Sequence, residues 1–120
     1  MSGLSPRLHD GVYAFVCVPP ATALDGLHPV ATMEEAEGRT LVLPLGEAEA
    51  RGFEVLWRGS WITLELATEL SMVGLTARFA TALAQDGIAC NVIAGAHHDH
   101  LFVPEGEGPR AHAILASLVP

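Results

Sequence analysis

Lysine is absent from this chain: all six basic residues are arginines, scattered singly among fourteen acidic ones. With a net charge of -8 and a sequence pI near 5.0, no basic stripe exists to hold phosphates, which excludes a nucleic-acid-binding role. A lysine-free composition biased toward Ala, Gly and Arg is what GC-rich codon usage produces and points to a bacterial source. Cysteine is scarce. Cys17 and Cys90 stand far apart in apolar, strand-like surroundings, match neither a CxxC metal pair nor a disulfide framework, and are expected as buried free thiols. Long apolar runs are missing too. The most apolar stretch, 12–24, is broken by Pro19-Pro20 and falls short of the roughly 20 residues a spanning helix needs, so no membrane contact is expected. The first ten residues carry neither a basic start nor an apolar run, so a secretory leader is not expected, and the chain reads as soluble and cytoplasmic.

Catalytic signatures are equally wanting. There is no GxSxG elbow, no phosphate loop and no Cys/His pair that spacing brings together, and nothing places Ser71 beside His98. The acidic pairs Glu34-Glu35 and Glu105/Glu107 lie in turn-like stretches where carboxylates stay solvated. No catalytic residue and no cofactor is expected.

What is present is a core. Half of the 120 residues are apolar, enough for one compact domain or two very small units sharing an interior. Residues 11–18 read as a strand ending at Pro19-Pro20, and 25–29 as the following loop. Two short strands flank the acidic bend at 34–38; 46–51 makes about one helical turn closed by Gly52; and 53–57 reads as another strand before a turn at Arg58-Gly59-Ser60. From Trp61 to Ala67 the pattern alternates, with Ile62, Leu64 and Leu66 on one side and Thr63 and Glu65 on the other. Leu75, Phe79 and Leu83 recur every four residues, which predicts a helix over 75–85 that Gly87 terminates. An apolar strand over 88–94, a His-rich bend, a strand at 101–103 and a last helix opened by Pro109, with Ala111, Ile114, Leu115 and Leu118 inward, complete the chain.

The C-terminal half is thus strand, helix, strand, strand, helix, one strand short of a βαββαβ ferredoxin-like unit. Residues 11–18 are the expected donor of the missing edge. The N-terminal half repeats the order in reduced form, with a loop in place of the first helix.

Four segments, Met72-Val73-Gly74-Leu75, Gly87-Ile88, Cys90-Asn91-Val92-Ile93 and Asp99-His100-Leu101-Phe102-Val103, resemble the ACT domain. Over 61–118 the chain is similar to the ACT modules in the regulatory part of aspartate kinases, and as a whole it resembles small free-standing bacterial tandem ACT-like proteins. The resemblance implies an α+β fold, an antiparallel sheet with helices on one face, built as two small ACT-like units sharing strands, 1–59 and 60–120. It also implies a regulatory role in sensing amino acids, and a homodimer. Two features depart from the family pattern: the N-terminal half lacks a long helix, and the bend carries three histidines.

A binding site follows from elementary chemistry. If the loop Met72-Val73-Gly74 enters a helix at Leu75-Thr76, the first backbone N–H groups of that helix have no internal partner and suit an α-carboxylate. Gly74 lets a ligand approach the backbone. Asn91, on the strand that also carries Ile93, can both donate to and accept from an amino group or a polar side chain. The plainer readings are that Gly74 serves a turn and Asn91 satisfies a nearby backbone group. His97-His98-Asp99-His100 invites a metal, since His98 and His100 would share a strand face, but no distant histidine pair completes a four-ligand shell and no metal is expected.

The resulting expectation is a non-catalytic protein that binds a small amino acid or related metabolite through Met72, Val73, Gly74, Leu75, Thr76, Asn91 and Ile93, at an interface between two units. With no room expected for a catalytic domain, any regulated enzyme would be a separate chain. The alternatives are a ligand-free interaction or dimerisation module and a metal-binding protein centred on His98 and His100.

Overall fold

The structure is a computed structural model that describes residues 4–66 and 73–118. Ten elements follow one another: β1 (Pro6–Leu8), β2 (Tyr13–Val18), β3 (Ala31–Glu35), β4 (Gly38–Pro44), α1 (Leu45–Ala50), β5 (Trp57–Leu64), α2 (Leu75–Gln85), β6 (Asn91–Ala94), β7 (Asp99–Pro104) and α3 (Gly108–Ala116). They form two compact units, Gly11–Gly59 and Met1–Asp10 with Ser60–Pro120. Compared with a division after residue 59, the first ten residues therefore join the later unit. Among the described residues no helix is long and apolar enough to cross a membrane.

In the unit Gly11–Gly59 the strand order is β3-β4-β2-β5, all neighbours antiparallel. Ala14, Val16 and Val18 of β2 and Leu41 and Leu43 of β4 share a core with Ala48 of α1, because alternate residues of a strand face the same side. No helix joins β2 to β3; instead the loop 19–30 lays Leu24 and Leu27 on this core. Glu47 in the first turn of α1 and Arg51, the residue just past its end, hold the loop down. Glu47 accepts from the His28 backbone N–H at 2.7 Å and from its ring Nδ1 at 2.8 Å, and Arg51 donates to the Ala23 carbonyl at 2.7 Å. Cys17, on the opposite face of β2, is exposed, correcting the expectation of burial: the strand's parity turns it away from the core.

The other unit has the order β1-β5-β7-β6 with α2 and α3 on one face. Ile62 and Leu64 of β5 and Leu101 and Val103 of β7 meet Leu75, Phe79 and Leu83 of α2 and Ala111 and Leu115 of α3 in a closed core. This is the βαββαβ arrangement, with its edge strand taken from the chain's beginning. The donor is Pro6–Leu8, paired with Leu64–Ile62, and not residues 11–18, which pair within their own unit. Three residues with a proline among them carry too little periodicity to announce a strand.

Two other local readings are corrected. Residues 53–56 form no strand, and no turn occurs at Arg58-Gly59-Ser60; β5 runs unbroken from Trp57 to Leu64. Gly59 is buried in the ladder opposite Tyr13, where pairing with a neighbouring strand outweighs the local preference of glycine for turns. Helix α2, in contrast, has the expected limits. At its end Gly87 takes φ 72°, its N–H donates to Ala84 and the Ile88 N–H donates to Leu83, a crossed pair of bonds that satisfies the last carbonyls while Ile88 joins the core.

Candidate functional site

Helix α2 begins without a side-chain cap. Gly74, its N-cap residue, has φ 93° in the left-handed region that glycine enters freely, and a Cβ built there would meet nothing within 4 Å. The Arg78 N–H donates to the Gly74 carbonyl and closes the first turn. The N–H groups ahead of it on Leu75, Thr76 and Ala77 receive no acceptor from the side chain of the cap residue, which is a glycine, and they form the positive end of the helix dipole. Val73, beside it, is 95% exposed, the most exposed large apolar side chain among the described residues. Leu75 turns the other way and is buried in the core, so it can offer a ligand its backbone N–H alone, while Thr76 is exposed. Met72 and Ser71 lie outside the described residues.

Asn91 and Ile93 stand on β6 directly opposite Phe102 and His100 of β7, on the face that neither α2 nor α3 covers. Val92 between them points to the core. The structure therefore puts Asn91 and Ile93 on one surface, and the side chain of Leu75 on the other side of the sheet.

The surface carrying Asn91 and Ile93 holds a group of side chains that sequence reasoning did not single out. The His9 ring stacks on the Trp61 indole at 3.5 Å between centroids with planes 8° apart, and Phe102 lies parallel to the indole at 6.2 Å. His9 Nε2 is 2.8 Å from the Thr63 hydroxyl, that hydroxyl is 2.9 Å from His100 Nδ1, and the Trp61 indole N–H donates to the same His100 nitrogen at 3.2 Å. Thr63 and Phe102 are buried although no helix covers them. Both histidines are held below their ordinary value of 6.5. For His100 the cause is burial of the ring, aided by His98 and opposed by Asp99 and Glu65; for His9 it is burial, aided by Arg7 and His100 and opposed by Glu65 and Asp10. Strand parity alone places Trp61 and Thr63 on a common side, but nothing in the sequence says that residue 100 arrives beside residue 63, or residue 9 beside residue 61.

The histidine bend behaves differently from a metal site. His98 and His100 do share strand parity, yet His100 Nδ1 is occupied by Thr63 and Trp61, and His97 is exposed. The His98 Nδ1 atom is buried with no hydrogen-bond partner among the described residues, and the His98 carbonyl accepts from the Gly95 N–H at 2.9 Å. Among the described residues, no group of three or more His, Cys, Asp or Glu side chains could hold a metal ion. A wide-open groove of about 450 Å³ runs along the outer side of α2 between Ala77, Arg78, Thr81, Ala82, Gln85 and Leu118, and includes none of the expected site residues.

Comparisons with known proteins agree with this architecture. A protein of unknown function from Vibrio cholerae, described as a "possible transport protein", has a structure that matches at a TM-score of 0.90 with 43% identity, over 98% of this chain and 91% of that one. The regulatory subunit of aspartate kinase from Thermus flavus shares the fold at a TM-score of 0.64 and 8% identity, over 96% of this chain and 97% of that one. A protein from Agrobacterium tumefaciens shares it at 0.68 and 16% identity, over 92% and 85%. None of the curated proteins matches. ACT-domain family models match residues 1–57 and 58–117, together spanning nearly all of the two-unit fold described above. The chain therefore belongs to the ACT-domain family, as a tandem pair.

Proposed function

We propose that this protein is a non-catalytic regulatory module that binds a small amino acid or a related metabolite. The observation that carries the reading is the entrance of α2: a helix N-terminus without a side-chain cap behind a left-handed Gly74, where among the described residues a built Cβ would meet nothing within 4 Å. The ligand's α-carboxylate would accept from the N–H groups of Leu75 and Thr76, and Val73 would cover its apolar part. Asn91 would read the amino group, with Ile93 beside it. Because Asn91 and Ile93 belong to the opposite face of their own sheet, this reading has them contributed by a second copy, which makes the protein a homodimer with the ligand at the junction. A ligand so placed favours whichever arrangement of the two copies it binds more tightly, and that difference in affinity is the regulatory signal.

A second reading, a ligand-free interaction module, is favoured by β6. It is the last strand in its sheet order and offers its outer backbone groups for pairing.

A thermal-shift screen of the metal-stripped protein against the twenty amino acids separates the two. A ligand at a hundred times its dissociation constant adds about 2.7 kcal/mol to stability. Saturable stabilisation by one amino acid, lost in both Gly74→Ala and Asn91→Ala, is the expected result. No shift at millimolar concentration of any amino acid would leave the interaction module as the reading.

A further inference from the structure

The contacts around His100 fix their own hydrogen-bond directions. Indole nitrogen can only donate, so the nitrogen that receives the Trp61 N–H, His100 Nδ1, must present a lone pair. A His100 that is unprotonated at Nδ1 carries its one proton on Nε2 and is neutral. The Thr63 hydroxyl, 2.9 Å from the same nitrogen, therefore donates to it as well. Having spent its proton there, Thr63 can only accept from His9, which requires the proton of His9 to sit on Nε2. One chain of bonds results, running from His9 through Thr63 to His100 and meeting the Trp61 N–H from the other side. Its terminal acceptor is a single imidazole nitrogen.

We propose that this chain is a proton-operated latch: a proton added at His100 Nδ1 expels the Trp61 indole N–H and reverses the Thr63 hydroxyl, and with it the direction of the bond between Thr63 and His9. The reasoning is geometric. Once Nδ1 bears hydrogen it can no longer accept, and the indole cannot turn from donor to acceptor. Thr63 can reverse and accept from His100, and its own proton then points at His9 Nε2, which accepts it once the His9 proton has moved to Nδ1. The His9 backbone stays tied, since its N–H donates to the Trp61 carbonyl at 2.9 Å, so the opening is one of side chains and leaves the strands paired.

The charged surroundings decide where the latch works. His9 approaches from the residue following β1, with Arg7 on β1 itself. Glu65 lies just past β5, while His98 and Asp99 are the sequence neighbours of His100. Strand β6 presents Ile93 and Asn91, neither of which titrates. Burial and His98 oppose the proton and outweigh Glu65 and Asp99, which favour it, so the latch is closed at neutral pH and opens on acidification, at a pH below the ordinary histidine value of 6.5. Opening turns the Trp61 indole N–H away from His100 on the same surface as Asn91 and Ile93. Mild acidification would thus alter that surface whatever it binds.

The test is a pH titration of the intact protein followed by NMR, reading the His100 and His9 ring signals and the Trp61 indole N–H, with Trp57→Phe to identify which indole is which. The expected result is a His100 midpoint below 6.5 with the Trp61 indole signal moving at that same midpoint. In His100→Asn an amide oxygen replaces Nδ1 as acceptor and cannot titrate, so the indole signal should keep its hydrogen-bonded position at neutral pH and lose the transition at the His100 midpoint, leaving any that follows the His9 ring. A His100 midpoint at or above the ordinary value, or a Trp61 signal indifferent to the His100 titration, overturns the latch, and the unsubstituted protein decides both points even if the variant fails to fold. A Trp61 transition that survives unchanged at the former His100 midpoint in a folded His100→Asn, apart from the midpoint of the His9 ring, overturns it equally.

Discussion

Glu47 grips His28 with both of its oxygens, one on the backbone N–H at 2.7 Å and the other on ring Nδ1 at 2.8 Å. A carboxylate only accepts, so His28 donates twice and presents Nδ1 protonated. Through this pair the loop 19–30, which occupies the position of the first helix of an ACT unit, is fastened to the first turn of α1. A loop that contributes Leu24 and Leu27 to the core needs such an anchor, because it has few backbone bonds of its own.

Removing the charge tests the anchor. Burial raises the Glu47 carboxyl, but the two His28 bonds outweigh it and hold the group below its ordinary 4.5. Folding therefore lowers this pKa, and the stabilisation is whole above 4.5 and lost as pH falls through the folded value. Glu47→Gln should cost about 1 kcal/mol in urea unfolding at pH 7, and the difference from the unsubstituted protein should shrink in acid. A difference that does not change with pH would mean the charge is not what holds the loop.

The two thiols should react at different rates. Cys17 is exposed, whereas burial pushes the Cys90 thiol up to about 11. At pH 8 roughly one Cys90 in a thousand is thiolate, the reactive form. Labelling with a soluble thiol reagent should show one rapid equivalent, abolished in Cys17→Ser, and a second that is at least about tenfold slower. Equal rates would contradict the burial of Cys90.

Gly38 opens β4 with φ 146°, and a Cβ there would lie 2.8 Å from the Val18 carbonyl oxygen and 2.9 Å from Cys17 Sγ. Alanine would meet both a disfavoured backbone conformation and an immovable carbonyl. Gly74→Ala faces the conformational cost alone, about 1–2 kcal/mol. Thermal denaturation should therefore rank Gly38→Ala as clearly the more damaging of the two.

Leu83 is fully buried between α2 and the sheet and also receives the Ile88 N–H on its carbonyl. Truncating its side chain leaves the carbonyl bond intact and opens a cavity. Leu83→Ala should lose about 3 kcal/mol in equilibrium unfolding, whereas Arg78→Ala on the exposed side of the same helix should stay within about 0.5 kcal/mol.

The sequence alone determined what depends on near neighbours. The four-residue spacing of Leu75, Phe79 and Leu83 with Gly87 after them specifies a helix and its end, because backbone hydrogen bonds and side-chain faces repeat within a turn. The alternation of Trp61 to Leu64 likewise sorts a core face from an outer one. Tertiary structure decided what depends on distant partners. Pro6–Leu8 becomes a strand only because Ile62–Leu64 offers it a ladder, and Arg58-Gly59-Ser60 stays extended only because β2 pairs alongside. The same holds for the cluster of His9, Thr63, His100 and Trp61: its members come from three separate segments, and the lone pair on His100 Nδ1 acquires its meaning from an indole 39 positions away. Hydrogen-bond direction is a property of two groups together, and a linear sequence presents them one at a time.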